Sequence, residues 1–332
     1  MSLYLVTGGC GFIGSHLVEE LLAQGHRVRV VDNLSTGKVE NLPVERASYR
    51  CEVIIGDVTD RETVVEAFRD VDYCFHLAAI ASVQLSNEDW AGTHRANLTA
   101  SINVFDAARR QRAPVVYASS AAVYGDNAET PLKETATLRP LTAYGADKLG
   151  SELHARVASL VHSVPTTGLR FFNVYGPRQD ASSPYSGVIS IFSNKVEAHQ
   201  PLVIYGDGEQ VRDFIYVRDV VRYLLAAMQN ISITPAAYNV CTGRSITINQ
   251  LARTIMSVAG QRVQIQYQTS RKGDIRVSVG SPWLAENRLG LRAEESLASG
   301  LKKLMDFEKS GVIDVPKVSM LPAINANCSV SI

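Results

Sequence analysis

The segment that most constrains the fold is Thr7-Gly8-Gly9-Cys10-Gly11-Phe12-Ile13-Gly14, which follows the apolar run Leu3 to Val6 and precedes a stretch with helical spacing, Ser15 to Gln24. Gly8, Gly11 and Gly14 stand three apart. The first permits a tight turn, the second a close backbone approach to a pyrophosphate, and the third close packing of helix on strand. A helix N-terminus then faces the phosphates. Asp32 ends the next apolar run, Arg27 to Val31. A carboxylate there accepts both adenosine ribose hydroxyls and repels a 2′-phosphate, which favours NAD over NADP.

Further short apolar runs, Val53 to Ile55, Tyr73 to Leu77, Val115 to Ala118 and Thr166 to Phe171, read as strands. Helical patterns separate them at Arg61 to Phe68, Ala96 to Arg112 and Ala143 to Val161. Strands without strict alternation, divided by helices, predict an α/β doubly wound parallel sheet of the Rossmann kind, covered on both faces. After residue 170 the texture changes. Asn173 to Gly187 reads as loops, Val188 to His199, Asp219 to Gln229 and Ile248 to Ala259 as helices, and Leu202 to Tyr205 and Val263 to Tyr267 as strands. The division expected is a cofactor domain over 1–170, a smaller substrate lobe over 171–316 with segments returning to the first domain, and a tail over 317–332.

Composition excludes more than it identifies. The 332 residues carry 33 Lys and Arg against 33 Asp and Glu. That balance offers no basic face for nucleic acid or a membrane surface. No apolar run reaches the ~18 residues of a spanning helix, and the N-terminus lacks the pattern of a signal peptide. Cytoplasm is the expected location. The five cysteines are scattered and never paired as CxxC, so neither a disulfide framework nor a metal site is expected.

Tyr144 and Lys148 stand four apart at the start of a predicted helix, so the phenol and the ammonium share a face. Free tyrosine has a pKa of about 10. A nearby lysine and an oxidised nicotinamide would favour the phenolate and make Tyr144 a base. Ser120 closes the strand pattern before it, on the side where open α/β sheets build their sites, and its hydroxyl can pass a proton with Tyr144. Asp57, with Val58, follows the third strand. It can reach an adenine amino group or simply act as a turn acid or helix N-cap.

The glycine loop, Asp32, Leu77-Ala78-Ala79, Ser120, Tyr144 with Lys148, and Arg170-Phe-Phe-Asn-Val-Tyr-Gly-Pro177 together resemble the extended short-chain dehydrogenase/reductase superfamily. More narrowly, the chain resembles its nucleotide-sugar 4-epimerases over residues 3 to 307. The resemblance implies NAD contacts from Gly8, Gly11, Phe12, Ile13, Gly14, Asp32, Asn33, Ser35, Thr36, Gly37, Asp57, Val58, Leu77, Ala78, Ala79, Asn97, Tyr144, Lys148 and Phe171. It implies UDP-sugar contacts from Ala81, Ser82, Val83, Ser120, Tyr144, Asn173, Val188, Val203, Tyr205, Arg212, Arg271, Asp274 and Ser278. Arg212 and Arg271 would clamp a diphosphate by charged hydrogen bonds; taken alone, each also suits an ordinary surface position. The helices over Ala91 to Arg112 and Ala143 to Val161 resemble the pair that forms a four-helix interface in a homodimer.

Related dehydratases carry an Asp-Glu pair after the hydroxyl residue, and related decarboxylases keep a Glu at the second of those places. Here they are Ala121 and Ala122, which transfer no proton. The resemblance therefore implies epimerisation at C4 through a 4-keto sugar. At Ser278, hexose-restricted relatives carry a bulky Tyr, so the small residue implies room for an N-acetyl group and favours UDP-GlcNAc/UDP-GalNAc, with UDP-Glc/UDP-Gal also open. Two other readings stand beside it: a 4-epimerase of UDP-glucuronate, which needs a further cation near C6, and a non-catalytic NAD-sensing protein.

Overall fold

Seven parallel strands form one sheet in the order β11-β6-β5-β4-β1-β2-β3. The computed structural model describes residues 1–43, 49–180, 187–270 and 275–310. The strands are β1 (Leu3–Thr7), β2 (Arg27–Asp32), β3 (Cys51–Ile55), β4 (Tyr73–His76), β5 (Val115–Ser120), β6 (Thr166–Phe171), β7 (Asn173–Tyr175), β8 (Leu202–Tyr205), β9 (Val211–Arg212), β10 (Phe214–Tyr216), β11 (Ala236–Val240), β12 (Ile246–Thr247), β13 (Ile265–Gln268) and β14 (Val277–Ser278). The helices are α1 (Phe12–Ala23), α2 (Arg61–Ala67), α3 (Val83–Glu88), α4 (Trp90–His94), α5 (Ala100–Gln111), α6 (Ala143–His162), α7 (Val188–Glu197), α8 (Val217–Gln229), α9 (Ile248–Ala259), α10 (Trp283–Leu289) and α11 (Leu297–Ser310). The doubly wound parallel sheet expected from the sequence is present.

Successive side chains of a strand point to opposite faces, and both faces of this sheet are apolar. Val6 and Val116 face a core closed by Leu17 and Leu21 of α1 and by Val220 and Leu224 of α8. Leu5 and Val115 face a second core closed by Val64 of α2, Val104 of α5 and Ala155 of α6. Continuous burial explains why these strands show no alternation in the sequence. A third core lies in the lobe after residue 170, where Phe192 of α7, Leu251 of α9 and Leu304 of α11 meet Ile204 and Phe214.

The structure departs from the sequence reading in places. Asn173 to Tyr175 is not loop: it is β7, paired in parallel with β10. Gly and Pro punctuate only from Gly176, and Tyr175 before them is buried. The first helix begins at Phe12, inside the glycine loop, with Gly11 as its N-cap. The helix read over Ala96 to Arg112 begins instead as a π turn over Arg95–Thr99 before α5, and the longer stretch from Ala91 takes in most of α4. β9, β12 and β14 have two residues each, too short for any periodicity to reveal. Arg271, Asp274 and the tail over 317–332 lie outside the described residues.

Candidate active site

A cavity of about 630 Å³ opens along the carboxyl ends of the central strands, the position that doubly wound sheets reserve for ligands. Its floor is the glycine loop. Gly8 has φ +69°, and a Cβ there would lie 2.7 Å from the Ala78 backbone nitrogen. A Cβ on Gly14 would meet the Gly8 carbonyl oxygen. The loop thus packs against the end of β4 with no room for a side chain. At the start of α1 no side chain caps the helix and no acid occupies the first turn. Its free N–H groups and dipole suit a diphosphate.

At the end of β2, the Asp32 carboxylate accepts from the backbone nitrogens of Cys10 at 3.0 Å and Leu34 at 2.9 Å. Burial raises its pKa against those two hydrogen bonds. Asp57 accepts from Thr59 N at 2.7 Å and from Asn33 Nδ2 at 2.9 Å. It is a turn acid; the N-cap of α2 is Asp60. These groups fit a dinucleotide: anion-binding N–H groups in the middle, a ribose-reading carboxylate at one end, and a phenol and an ammonium at the other.

At that other end stand Ser120, Tyr144 and Lys148, all lining the cavity. Thr142 caps α6 by accepting from Gly145 N at 3.1 Å, which puts Tyr144 in the first turn. Ser120 Oγ accepts from Ala122 N at 3.1 Å. The Lys148 ammonium lies 5.8 Å from the centre of the Tyr144 ring and donates to the Ala118 carbonyl at 3.0 Å. Burial lowers the Lys148 pKa to about 8, against the pull of Asp147. The Tyr144 pKa is not depressed, as the spacing with Lys148 predicts. Burial raises it, and Ser120 opposes the rise. Desolvation of the phenol sets the direction, while Nζ is engaged by the Ala118 carbonyl.

Most of the expected cofactor residues line this cavity: Gly8, Gly11, Phe12, Ile13, Gly14, Asp32, Asn33, Ser35, Thr36, Asp57, Val58, Leu77, Ala78, Ala79 and Phe171. Gly37 does not. It packs on Asp32, where a Cβ would sit 2.8 Å from Oδ1. Asn97, fully buried in the π turn, is spent on Ile80, accepting from its nitrogen at 2.8 Å and donating to its carbonyl at 3.2 Å.

Of the expected sugar contacts, Ala81, Ser120 and Tyr144 line the cavity. Ser82 instead caps α3, and Val83 is exposed. Asn173 Nδ2 donates to the Asp213 carbonyl at 3.0 Å. Arg212 Nη1 donates to the carbonyls of Val211 and Ile275 at 2.9 and 2.7 Å, and Ser278 is its register partner across the β9–β14 pair. Val203 and Tyr205 lie on β8, and Val188 opens α7. The cavity also takes in Arg95, Ala96 and Gln179, which the motifs did not reveal. For Arg95 and Ala96 the π turn is the only local signal, and it has no sequence signature.

Among the described residues no helix is long and apolar enough to cross a membrane. The family model described as the NAD dependent epimerase/dehydratase family matches residues 4–241. A putative UDP-glucose 4-epimerase of Methanocaldococcus jannaschii is 33% identical over 93% of this chain and 99% of its own length. UDP-glucuronic acid decarboxylase 1 of Arabidopsis thaliana is 30% identical over 93% of this chain and 70% of its own. The structure of a UDP-N-acetylglucosamine 4-epimerase from Methanobrevibacter ruminantium, in complex with UDP-N-acetylmuramic acid, superposes with a TM-score of 0.88 at 35% identity, covering 93% of this chain and 98% of the other. A cavity shaped for a dinucleotide, a Ser-Tyr-Lys group at its far end and relatives aligned along nearly the whole chain lead to one assignment: the chain belongs to the NAD dependent epimerase/dehydratase family of UDP-sugar enzymes.

Proposed function

We propose that the protein epimerises C4 of a UDP-hexose, with UDP-GlcNAc and UDP-GalNAc as the favoured pair and UDP-Glc and UDP-Gal also accepted. One observation carries the reading. Among the described residues at the Ser120 end of the cavity, the proton-transferring groups are the Tyr144 phenol, the Lys148 ammonium and the hydroxyls of Ser120 and Ser119, the last of them donated to Glu152. The lining carboxylates, Asp32 and Asp57, close β2 and β3. β2 is three strand spacings from β5, about 14 Å. Dehydration needs a further acid and base at the sugar, and Ala121 and Ala122 supply neither.

Tyr144 takes the proton of the sugar 4-hydroxyl, and Ser120 holds the same oxygen. NAD supplies a hydride acceptor and donor there. Lys148 orients the nicotinamide ribose and adds positive charge near the phenolate. Inversion requires the 4-keto sugar to present its opposite face, and the small side chain of Ala81 in the cavity wall leaves space for that turn. Ser278, beside Arg212, leaves room at C2 for an acetamido group, while Arg212 serves the diphosphate.

Incubation with UDP-GlcNAc followed by separation of the C4 epimers tests this. UDP-GalNAc accumulates if the reading holds. Protein that retains NAD yet interconverts no UDP-sugar would return the chain to the NAD-sensing class.

A second reading, 4-epimerisation of UDP-glucuronate, is favoured by Arg95, an exposed cation lining the cavity. The two substrates compared in one assay, with Arg95→Ala alongside, decide between them. Faster turnover of the glucuronate, lost in Arg95→Ala, selects the second reading.

The partner proposed is a second copy of the chain. Leu153, Val157, Leu160 and Val161 form an exposed apolar stripe along α6, at the i, i+4, i+7, i+8 spacing of one helix face. Ile102 of α5 is exposed as well. The cytoplasmic location expected from the sequence accords with the unpaired thiols of Cys10, Cys51, Cys74 and Cys241.

A further inference from the structure

We infer that a buried chain of side chains headed by Glu152 and Arg170 is a positioning device for catalysis, fixing where Ser120 meets Tyr144. It rests on the reading of Tyr144 as the base, and of its members only Ser119 lines the cavity.

Glu152 lies one turn beyond Lys148 on α6. Its Oε1 accepts from Ser119 Oγ at 2.5 Å and from Arg170 Nε at 2.9 Å, and its Oε2 accepts from Arg170 Nη2 at 2.7 Å. Both side chains are at least nine-tenths buried. Arg170 Nη1 donates to the Tyr124 hydroxyl at 2.8 Å, and that hydroxyl donates to Asn239 Oδ1 at 2.6 Å. Asn239 Nδ2 donates to the Leu132 carbonyl at 2.9 Å. Leu132 in turn is clipped to the strand end beyond Ser278, its nitrogen donating to Val279 O and its carbonyl accepting from Ser281 N, both at 2.8 Å.

The chain therefore begins at the residue next to Ser120 and passes through the helix that carries Tyr144 and Lys148. It ends at the segment that carries Ser278. α6 is tied to consecutive residues of β5, by Lys148 to Ala118 and by Glu152 to Ser119. Space-filling alone does not call for this arrangement. A buried ion pair is commonly no more stabilising than apolar side chains of equal volume. What the pair adds is direction: the two-pronged guanidinium–carboxylate contact fixes both partners, leaving Oε1 aimed at Ser119. A misplacement of about 1 Å at a reacting group can cost about a hundredfold in rate.

Ser119 is tied to Glu152 and its neighbour Ser120 lines the cavity with Tyr144; since Ser120 holds the Tyr144 pKa down against burial, loosening Ser119 raises it. The test uses NAD-loaded enzyme and three variants. Ser119→Ala cuts the link to β5 and spares the ion pair. Glu152→Gln unbalances the pair. Glu152→Leu with Arg170→Met replaces it by apolar volume. The titration of Tyr144 is followed by phenolate absorbance, with Tyr144→Phe as the blank, so this readout does not depend on which sugar is the substrate. In Ser119→Ala and Glu152→Gln we expect the Tyr144 titration and the acid limb of kcat to move to higher pH. We expect kcat to fall about ten- to a hundredfold, with KM little changed. The double variant melts near the wild type and remains slow. Wild-type titration and kcat in folded Ser119→Ala, or turnover restored along with stability in the double variant, overturns the inference. A wild type that turns over no UDP-sugar but shows the titration shift in the variants faults the proposed substrate instead.

Discussion

The half of the molecule before Phe171 and the lobe after it use their polar side chains differently. In the first, the groups facing the cavity are already aimed: Asp32 is held by two backbone nitrogens, Ser120 by Ala122 N and Lys148 by the Ala118 carbonyl, and the start of α1 is uncapped. In the second, the expected contacts are occupied within the protein. Asn173 serves the Asp213 carbonyl, and Arg212 serves two carbonyls. The buried Asp213 accepts from Thr242 and Gly243. The cofactor side is thus preorganised, whereas under the proposed function the residues assigned to the sugar would exchange internal hydrogen bonds for substrate ones. Cofactor retention and sugar turnover are separable properties on this account.

The sharpest way to break that separation is Tyr144→Phe. Loss of a general base lowers kcat by roughly a hundred- to ten-thousandfold, while NAD copurifies as in the wild type. Parallel loss of bound NAD would show that the two halves of the site are one unit.

Acid probes the join between the halves. His16 of α1 donates through Nε2 to the Pro177 carbonyl at 3.0 Å, and burial lowers its pKa to about 4. His76 of β4, between Thr7 and Ser101, is lowered to about 3 by burial and by Lys148. An unfolded histidine titrates near 6.5. Between that pH and the folded values the unfolded chain binds more protons, so stability falls as pH falls, by about 1.4 kcal/mol per pH unit for each histidine. Denaturant melts from pH 7 to 4 measure the slope. His16→Gln lowers it by about 1.4 kcal/mol per pH unit, and an unchanged slope would remove His16 from the account.

Ser278→Tyr tests the lobe alone. Turnover of the N-acetylated pair should fall roughly tenfold or more relative to the plain hexoses, with NAD binding unaltered. Equal losses on both pairs would show that residue 278 does not read C2. The mildest change concerns the outer surface of the first half, away from the cavity. Val157→Glu places charge in the α6 stripe and should shift sedimentation from dimer to monomer, leaving the occupancy of NAD unchanged.

The two halves were also unequally legible. The glycine loop, Asp32 and the Tyr144–Lys148 pair are local patterns, each set within a single turn or strand end, so spacing alone located them. The same spacing misjudged the electrostatics of the pair. Burial is a property of the assembled cavity, and the Lys148 ammonium is diverted to Ala118. β7 was read as loop because Gly176 and Pro177 follow it at once, and β11 was missed because Asn239 interrupts its apolar run. Both strands are stabilised by partners remote in sequence, β10 for one and β6 for the other. The Glu152–Arg170 pair has no pattern either. Its members lie on a helix and a strand that only the fold brings together.

β11 has a consequence for how the molecule is made. The strand order places it outside β6, so the sheet that carries the cofactor cavity is completed by residues that a ribosome supplies only after much of the sugar lobe. A nascent or proteolysed chain ending near Phe171 leaves β6 as an open edge with unpaired backbone groups, a template for pairing with other chains. α8, which covers α1, would be absent as well. Excising the first half as a free-standing cofactor domain should therefore yield an aggregating fragment, and insertions that separate the two halves should be tolerated only where β11 can still return to β6.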